Sequence, residues 1–314
     1  MPTITCIEDL RLLAKRRAPR AIFDYAEGGA YDEATLRANR ADLDAIRVRQ
    51  RVMINVDQRS LRTELVGETV TMPVSVAPLG LTGLMHGSGE IHAARAAEAF
   101  GIPYTLSTMS ICSIEDVRAA VTKPFWFQLY VMRDRDFVES LIQRAIAAQC
   151  SALVLTADLQ IQGQRHRDIK NGLSVPPRLT LRNALDIATK PAWVLSVLTA
   201  PRRTFGNLVG LGRGGSNLNT LSQWIASQFD PTLSWQDVAW VRKLWPGKLI
   251  IKGILDADDA RLAVDTGADA IVVSNHGGRQ LDGAPSSIAA LPGIVAAVGD
   301  KTQVLFDGGV RSGQ

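Results

Sequence analysis

The stretch VVSNHGGRQLDG, Val272–Gly283, joins an apolar run to a cluster of polar residues. Its β-branched start predicts a buried strand, and the two glycines after it allow a sharp turn where that strand ends. A histidine and an arginine, His276 and Arg279, stand in this turn. Polar side chains at the end of a strand indicate a functional site in an α/β fold.

The same arrangement recurs along the chain after Met72. Short apolar runs alternate with amphipathic segments of helical length, most of them roughly 20 to 35 residues apart. Seven strand-then-helix units of this kind predict repeated βαβ units and a parallel sheet. The predicted strands are PVSVAP from Pro73, YTLST from Tyr104, FWFQLYV from Phe125, ALVLTAD from Ala152, KLIIKGI from Lys248, AIVVSNHG from Ala270 and QVLFDGG from Gln303.

Most of these predicted strands finish in polar residues. A (β/α)8 barrel collects its active site at the C-terminal ends of all its strands, whereas a doubly wound sheet places ligands mainly at one switch point. The pattern therefore favours an α/β fold of the TIM-barrel type. Because the chain stops just after the seventh predicted strand, we expect the eighth βα unit to be missing from it. The polar residues are Ser107, Gln128, Tyr130, Thr156, Asp158, Lys252, Ser274, His276 and Asp307.

Residues 1–314 are predicted to form a single barrel domain with two additions. Residues 1–70 read as helices and a short connection, since Thr5 and Glu8 give a capping-box pattern at the start of a helix. Residues 173–228 are far longer than a normal connection, which indicates an excursion from the barrel.

Composition excludes several classes of function. The 314-residue chain has a net charge of +4 without a lysine-rich run, so we expect no nucleic-acid binding. Its three cysteines, Cys6, Cys112 and Cys150, lack metal-ligand spacing and predict no metal site. The charged N-terminus lacks the apolar core of a secretory signal, and no apolar run approaches the roughly 20 residues that span a bilayer.

Two glycine-rich motifs suggest phosphate-bearing ligands to different degrees. Gly210, Gly212 and Gly215 have the spacing of a dinucleotide motif, but no βαβ unit surrounds them, which favours a flexible loop. The run LFDGGVRSG, Leu305–Gly313, combines a strand, exposed backbone N–H groups and Arg311. It predicts a phosphate site, with an ordinary glycine turn as the alternative.

Lys252 lies inside the predicted strand KLIIKGI. Burying a lysine costs free energy unless the ammonium group meets negative charge or a strong acceptor. Lys252 therefore predicts either a ligand contact or a structural ion pair.

Several polar side chains can assemble around His276. An imidazole titrates near neutral pH and suits a general base, and Asp158 at another strand end can stabilise the imidazolium. Arg165 and Arg279 each offer a planar fork that fits a carboxylate. A lone histidine is more often structural, but its convergence with these groups on one barrel face favours catalysis. Two tyrosines supply hydroxyls for a substrate oxygen: Tyr25 and Tyr130.

In these motifs the chain resembles the FMN-dependent L-2-hydroxy-acid dehydrogenases and oxidases, a family that includes lactate and mandelate dehydrogenases and glycolate oxidases. The pair SNHGGRQLDG and DGGVR is the most specific part of the likeness, which covers the chain except for residues 173–228. The other matching stretches are FDYAEGGA, VAPLGLTG, TLSTMS, WFQLYV, LTADLQIQGQRHRD and FDPTLSWQDVAWVRKLWPGKLIIKGIL.

The resemblance implies a role for each site residue. For the substrate, it makes His276 the base, pairs Asp158 with it, assigns Arg165 and Arg279 to the carboxylate, and assigns Tyr25 and Tyr130 to the carboxylate or hydroxyl. For FMN, it places Pro78, Leu79, Gly80, Ser107, Gln128, Thr156 and Ser274 by the flavin, Lys252 at its N1–C2=O edge, and Asp307, Gly308, Gly309 and Arg311 at the ribityl and phosphate groups.

The implied reaction is the oxidation of an L-2-hydroxy acid, with L-lactate as the first choice, to the 2-oxo acid. Electrons would pass through FMN to quinone or another acceptor. Mandelate or another 2-hydroxy acid is an alternative, because Leu79 and Met109 occupy positions that vary with substrate in the family. An FMN-dependent isomerase would not need both arginines together with His276. The missing eighth unit adds an inactive truncated remnant as a further alternative.

The excursion falls where membrane-associated members of the family carry a membrane-binding loop. Its apolar run AWVLSVLTA, residues 192–200, is flanked by arginines and a lysine, which can meet anionic lipid. We therefore expect a cytoplasmic protein that can bind the inner face of the cell membrane, with quinone as its acceptor. A helix packed on a neighbouring subunit is the alternative, since the family implies a tetramer or octamer.

Overall fold

The computed structural model describes residues 3–173, 180–208, 224 and 226–313. The chain begins with α1 (Ile7–Arg17), α2 (Arg20–Glu27), α3 (Ala34–Ala45) and the hairpin of β1 (Thr63–Leu65) and β2 (Glu68–Val70). It continues with α4 (Thr82–Met85), α5 (Gly89–Phe100), β3 (Thr105–Ser107), α6 (Ile114–Ala120), β4 (Trp126–Leu129), α7 (Arg135–Ala147), β5 (Ala152–Thr156) and α8 (His166–Lys170). The remaining elements are α9 (Leu181–Ala188), α10 (Pro191–Thr199), α11 (Trp235–Leu244), β6 (Lys248–Ile254), α12 (Ala257–Asp265), β7 (Ala270–Val273), α13 (Ser287–Val298) and β8 (Gln303–Phe306).

Six parallel strands, β3 to β8, lie side by side in chain order. These correspond to six of the seven predicted strands, and the order is that of a TIM-type barrel. The other predicted strand, PVSVAP, is reduced to one parallel bridge between Val76 and Tyr104. Pro73 and Pro78 stand at its two ends and carry no N–H group, so the ladder cannot extend through them.

Side chains along the strands alternate between the outer helical layer and the inside of the barrel. On β5, Leu153 and Leu155 pack into the large cluster under the helices, whereas Val154 belongs to a separate inner cluster. Thr156 follows Val154 two residues further on and so shares its inward side. Lys252 stands in register beside Thr156. The inside of the barrel therefore changes from apolar to polar toward the C-terminal ends of the strands.

The β1–β2 hairpin covers the apolar end of the barrel. Its residues Leu65, Val66 and Val70 are buried against the inward side chains of the strands. Val66 and Gly67 form the turn with φ values of 50° and 82°, as a tight hairpin requires. The sequence prediction of helices and a short connection for residues 1–70 missed this hairpin, because strands of three residues show too little periodicity.

The N-terminal helices lie across the polar end of the barrel. The Asp282 carboxylate accepts hydrogen bonds from the backbone N–H groups of Asp32 (3.0 Å) and Thr35 (2.9 Å) at the start of α3. The N–H of Ala30 donates to the carbonyl of Gly278 at 2.8 Å. These bonds hold α2 and α3 above the VVSNHGGRQLDG turn and thereby bring Tyr25 to the site.

At α1 the predicted capping pair is wrong by one residue. Asp9, not Glu8, supplies the capping carboxylate: its Oδ2 accepts from the N–H groups of Thr5 (2.8 Å) and Cys6 (3.2 Å). Glu8 instead pairs with Arg11 one turn along the helix. The helix starts at Ile7, which places Asp9 rather than Glu8 at the position that reaches back to the cap.

Within residues 173–228, α9 and α10 are described. The Trp193 indole N–H donates to the carbonyl of Leu84 at 2.8 Å, and the N–H of Gly87 donates to Ser196 Oγ at 2.9 Å. Helix α10 therefore packs on the segment around α4. Gly210, Gly212 and Gly215 lie outside the described residues. In the described part of the chain, no helix combines the length and apolarity that a membrane crossing needs.

Candidate active site

His276 and Asp158 meet above the ends of β7 and β5. His276 Nδ1 lies 2.8 Å from Asp158 Oδ1, and both side chains are mostly buried. Burial by itself raises the pKa of Asp158, but the neighbouring His276 and Lys252 outweigh it, so the pKa lies below its ordinary value. Asp158 is therefore a carboxylate that accepts the hydrogen bond of Nδ1–H. This tautomer leaves Nε2 of His276 free to accept a proton.

The backbone of His276 adopts a left-handed conformation, with φ of 58°. Gly277 and Gly278 follow with φ of 66° and 71°, so three successive residues share this region. A non-glycine residue in such a conformation costs on the order of 1 kcal/mol and persists only when its surroundings fix it. One such contact is the His276 N–H, which donates to Ser274 Oγ at 3.1 Å.

Arg165 and Arg279 both contact the ring of Tyr25. Their Cζ atoms lie 5.5 Å and 5.0 Å from the ring centroid. Arg279 Nη1 donates to the carbonyl groups of Tyr25 (2.7 Å) and Gly28 (2.6 Å), and Arg165 Nε donates to Asp168 Oδ2 at 2.6 Å. Each guanidinium is thus fixed through one edge and keeps donors on the other edge for a carboxylate.

The same pocket is electrostatically suited to an anion. Burial lowers the pKa of Arg279, and the charge of Arg165 lowers it further, because each positive group disfavours the other. An anion placed between them relieves this repulsion. Burial, with Asp158 and Tyr25 nearby, raises the pKa of the Tyr130 phenol, which therefore stays protonated and can donate a hydrogen bond.

A row of hydrogen-bonded polar side chains crosses the ends of β3, β4 and β5. Ser107 Oγ donates to Gln128 Oε1 at 3.0 Å, and Gln128 Nε2 donates to Thr156 Oγ1 at 3.0 Å. All three residues are buried. This row is rigid, because each member fixes the orientation of the next, and it carries both donors and acceptors toward the inside of the barrel.

Lys252 is only 5% exposed and forms an ion pair with Asp307. Its Nζ lies 2.9 Å from Asp307 Oδ2 and donates to Ser274 Oγ at 2.7 Å. Burial by itself lowers the pKa of Lys252, but Asp307 and Asp158 outweigh it and hold the pKa above its ordinary value. Lys252 is therefore a buried cation in a structural ion pair, one of its two predicted roles, and its contact with a ligand stays a prediction.

The turn after β8 packs closely on α3. Gly308 and Gly309 have φ of 100° and 83°. A Cβ atom on Gly309 would lie 2.5 Å from the backbone oxygen of Asn39. Of the four residues predicted to hold a phosphate-bearing group, Asp307 and the two glycines lie together. Arg311 is exposed, and its Nη1 bonds the carbonyl of the preceding residue, Val310, at 2.9 Å.

The loop of Pro78, Leu79 and Gly80 borders the site from the side of Tyr25. A Cβ on Gly80 would lie 3.6 Å from the Tyr25 hydroxyl and 3.4 Å from Met109 Cβ. Leu79 is 63% exposed, so its side chain is available to a ligand or to another surface. The structure thus brings Gly80, Tyr25 and Met109 together, and their contact with flavin and substrate stays a prediction.

Three functional neighbours were missed at the sequence level. Asp168 anchors Arg165, while Asn39 and Asn275 form a buried amide pair beside the His276 turn. The spacing RHRD does signal the Arg165–Asp168 pair, since residues three apart on a helix are neighbours. No local signal connects Asn39 with Asn275, because they are 236 residues apart.

Comparisons with known proteins identify the family of this chain. Residues 14–314 match the family described as FMN-dependent dehydrogenase. The chain is 48% identical over 312 residues to the L-lactate dehydrogenase of Ectopseudomonas mendocina (strain ymp), covering 99% of this chain and 82% of the relative. It is also 48% identical over 312 residues to the L-lactate dehydrogenase of Caulobacter vibrioides (strain NA1000 / CB15N), covering 99% of this chain and 81% of the relative.

Solved structures give the same result for the fold. The crystal structure of the monotopic membrane protein (S)-mandelate dehydrogenase superposes with a TM-score of 0.92 at 36% identity, covering 99% of this chain and 82% of that chain. A crystal structure of mandelate oxidase with (S)-4-hydroxymandelic acid superposes with a TM-score of 0.84 at 37% identity, covering 99% of this chain and 81% of that chain. With the parallel strand order, these matches confirm the predicted TIM-type barrel.

Proposed function

The chain belongs to the FMN-dependent dehydrogenase family, and from that premise we propose that it oxidises L-lactate to pyruvate at the site around His276. The observation that carries this proposal is the pairing of a base with an anion pocket. His276, backed by Asp158, and the two guanidinium groups around Tyr25 occur in one site. A 2-hydroxy acid needs both features, because its carboxylate must be held while a proton leaves its hydroxyl or its Cα.

Each side chain then has one task. Arg165 and Arg279 bind the carboxylate through the edges that the protein leaves open. Tyr130, buried and protonated, donates to the carboxylate or to the 2-hydroxyl. His276 Nε2 accepts the proton, and Asp158 stabilises the resulting imidazolium through Nδ1–H.

FMN fits the remaining polar groups of the site. When bound, FMN accepts the two electrons that the substrate loses. Asp307 Oδ1 is buried and has no hydrogen-bond partner among the described residues, so it suits a ribityl hydroxyl. The N–H groups of Gly308 and Gly309, with Arg311, would hold the phosphate, and Ser107, Gln128, Thr156 and Ser274 would hold the flavin ring beside the backbone of Pro78, Leu79 and Gly80.

Lys252 would face the electron-rich edge of the flavin. It is a buried cation held by Asp307 and Ser274, which fixes its charge in one place. A fixed positive charge stabilises negative charge that develops nearby, without having to reorient.

The proposal is tested by the colour of the purified protein loaded with FMN. L-lactate added without oxygen should bleach the yellow flavin. His276→Gln should stay yellow with FMN bound, because glutamine cannot accept the proton, whereas His92→Gln, which changes an exposed histidine outside the site, should bleach like the parent. Bleaching of His276→Gln at the parent rate would contradict the assignment of the base. Bleaching by L-mandelate but not by L-lactate would shift the substrate to the alternative acid.

We also propose that α9 and α10 contact the membrane surface and that quinone accepts the electrons. Leu181 and Leu185 on α9 are 87% and 71% exposed, and Leu195 and Leu198 on α10 are 65% and 55% exposed. Exposed leucines in a segment with basic flanks suit an anionic lipid interface. The neighbour described as a monotopic membrane protein supports this assignment.

Liposomes test the membrane contact. Vesicles with anionic lipid should carry the protein on flotation, and the double change Leu195→Glu with Leu198→Glu should release it, because two carboxylates would enter the lipid interface. Leu262→Glu, at a partly exposed leucine on α12, is the matched control and should still float. If the double variant floats as well as the control, α10 does not bind the membrane, and the reason to favour quinone is lost.

A further inference from the structure

A buried amide pair joins the N-terminal helix α3 to the turn that carries His276. Asn39 Nδ2 donates to Asn275 Oδ1 at 2.8 Å, and Asn275 Nδ2 donates to Asn39 Oδ1 at 2.7 Å. Asn39 is 1% exposed and Asn275 is 5% exposed. Such a reciprocal pair fixes both side chains in position and orientation, since each amide is at once donor and acceptor.

Asn275 in turn organises the backbone around His276. Its Oδ1 also accepts the N–H of Gly278 at 3.1 Å, and its Nδ2 also donates to the carbonyl of Pro285 at 3.0 Å. The Gly278 bond spans the left-handed residues His276 and Gly277. An unfavourable backbone conformation of this kind needs contacts that hold it. The Gly278 N–H also donates to the backbone carbonyl of Asn275 at 3.0 Å, so the oriented amide adds a second acceptor to a turn that the backbone already closes.

Asn39 also touches the turn after β8. A Cβ on Gly308 would lie 3.2 Å from Asn39 Nδ2, and Asn39 Oδ1 accepts the N–H of Ser287 at 3.3 Å. Ser287 Oγ donates to the carbonyl of Asp307. One side chain of α3 therefore contacts both turns that border the site, although it lies outside the His276–Asp158 pair and the arginine pocket.

We propose that Asn39 is a positioning residue: through Asn275 it sets the orientation of the His276 turn, and with it the reach of the base toward the substrate. This inference rests on the proposed role of His276 as the base. It predicts that changes at Asn39 slow the chemical step while leaving the arginine pocket intact, because Arg279 is fixed separately by the carbonyl groups of Tyr25 and Gly28.

The sharpest test is Asn39→Asp. A protonated aspartic acid has the shape of asparagine and can donate to Asn275 Oδ1 while accepting from Nδ2, so it preserves the pair. The ionised form has no donor and sets an anion against Asn275 Oδ1. Burial raises the pKa of the introduced carboxyl group, so both forms occur in an accessible pH range.

The measured quantity is the ratio of two rates of anaerobic bleaching by L-lactate, that of Asn39→Asp divided by that of the parent at the same pH. We expect this ratio to be highest at low pH and to fall as the pH rises. Asp42, His276, Asp282 and Asp307 on the surrounding elements are present in both proteins, so the ratio removes their contribution. A ratio that is constant with pH would overturn the proposal.

Asn39→Ala removes the pair without adding charge. Displacement of a catalytic group by about 1 Å can cost roughly 100-fold in rate, so we expect a 10- to 100-fold lower kcat with a KM for L-lactate within about threefold of the parent. Arg37→Ala, at an exposed residue of the same helix, should behave like the parent. Equal losses in both variants, or a loss confined to KM, would contradict the positioning role.

Two further measurements separate positioning from misfolding and from a wrong function. Hydrogen exchange of the peptide covering residues 270–283 should be faster in Asn39→Ala than in Arg37→Ala, and unchanged exchange there would overturn the proposal. The double variant Asn39→Ala with Asn275→Ala should be no slower than the slower single variant, whereas additive losses would show that Asn39 acts by another route. If the parent protein is not bleached by any 2-hydroxy acid, the proposed function fails, while the exchange experiment still tests the pair.

Discussion

At the scale of single residues, Lys252 shows how one buried charge depends on its partner. Removing one member of a buried ion pair typically costs about 3–5 kcal/mol, because the other charge stays buried without compensation. Lys252→Met leaves the Asp307 carboxylate without this partner, and because that side chain is 23% exposed, the cost should lie toward the lower end of the range. Lys248→Met is the matched control on the same strand, since Lys248 is half exposed and pairs with Asp269, and such surface pairs contribute about 0–1 kcal/mol. Urea unfolding of the two variants should show this difference.

The contribution of Lys252 should also depend on pH in one direction. Its pKa is raised in the folded protein, so its stabilisation is complete below the pKa of an unfolded lysine, about 10.4. It is lost as the pH rises through the folded value. The gap in unfolding free energy between the parent and Lys252→Met should therefore be constant from about pH 7 to 9 and narrow above about pH 10.5. A gap that widens at alkaline pH would contradict the ion pair.

At the scale of elements, the two glycines after β7 allow the cost of backbone strain to be measured apart from the cost of close packing. Gly277 and Gly278 have similar positive φ values. A Cβ on Gly278 would lie 2.5 Å from the N atom of Leu36 in α3, whereas a Cβ on Gly277 would meet nothing within 4 Å. Gly277→Ala should cost about 1 kcal/mol of strain, and Gly278→Ala should cost more and loosen α3 from the barrel. Thermal unfolding of both variants checks this order, and equal melting temperatures would refute the close packing.

Elements also show where prediction from sequence stops. The strands β3 to β8 could be predicted because each lies in a short, largely apolar run, with polar residues at or near its C-terminal end. The predicted capping residue of α1 was wrong by one position. Glu8 and Asp9 are both acidic, and only the residue at which the helix starts decides which of them reaches the cap. The β1–β2 hairpin could not be predicted, because its short strands show no periodic pattern in the sequence. The hairpin is stabilised by burial against the inward side chains of the barrel strands.

At the scale of the whole molecule, that hairpin should contribute to global stability. Leu65 is 6% exposed within the inner cluster, whereas Leu61, just before the hairpin, is 63% exposed. Leu65→Ala should lower the unfolding free energy by about 2–5 kcal/mol, as a cavity in a packed core does. Leu61→Ala should stay within about 0.5 kcal/mol of the parent. The comparison is made by urea unfolding followed by tryptophan fluorescence.

For the site as a whole, the sequence predicted the residues better than it predicted the contacts among them. His276, Asp158 and the two arginines were expected to converge, since parallel strands in a barrel end on one face. The sequence did not reveal that Arg165 and Arg279 both contact the ring of Tyr25, nor that Asn39 pairs with Asn275. Both depend on how the N-terminal helices lie across the barrel, and this is decided by tertiary contacts such as those of Asp282.

The contact of Tyr25 with two arginines far along the chain has a consequence for biosynthesis. Arg279 follows Tyr25 by 254 positions, so the ribosome must translate the whole intervening segment before the two residues can meet. A nascent chain that exposes only its first helices and strands has neither arginine beside the tyrosine ring. The contacts around Tyr25 are therefore completed only after β7 and the turn that follows it have been translated.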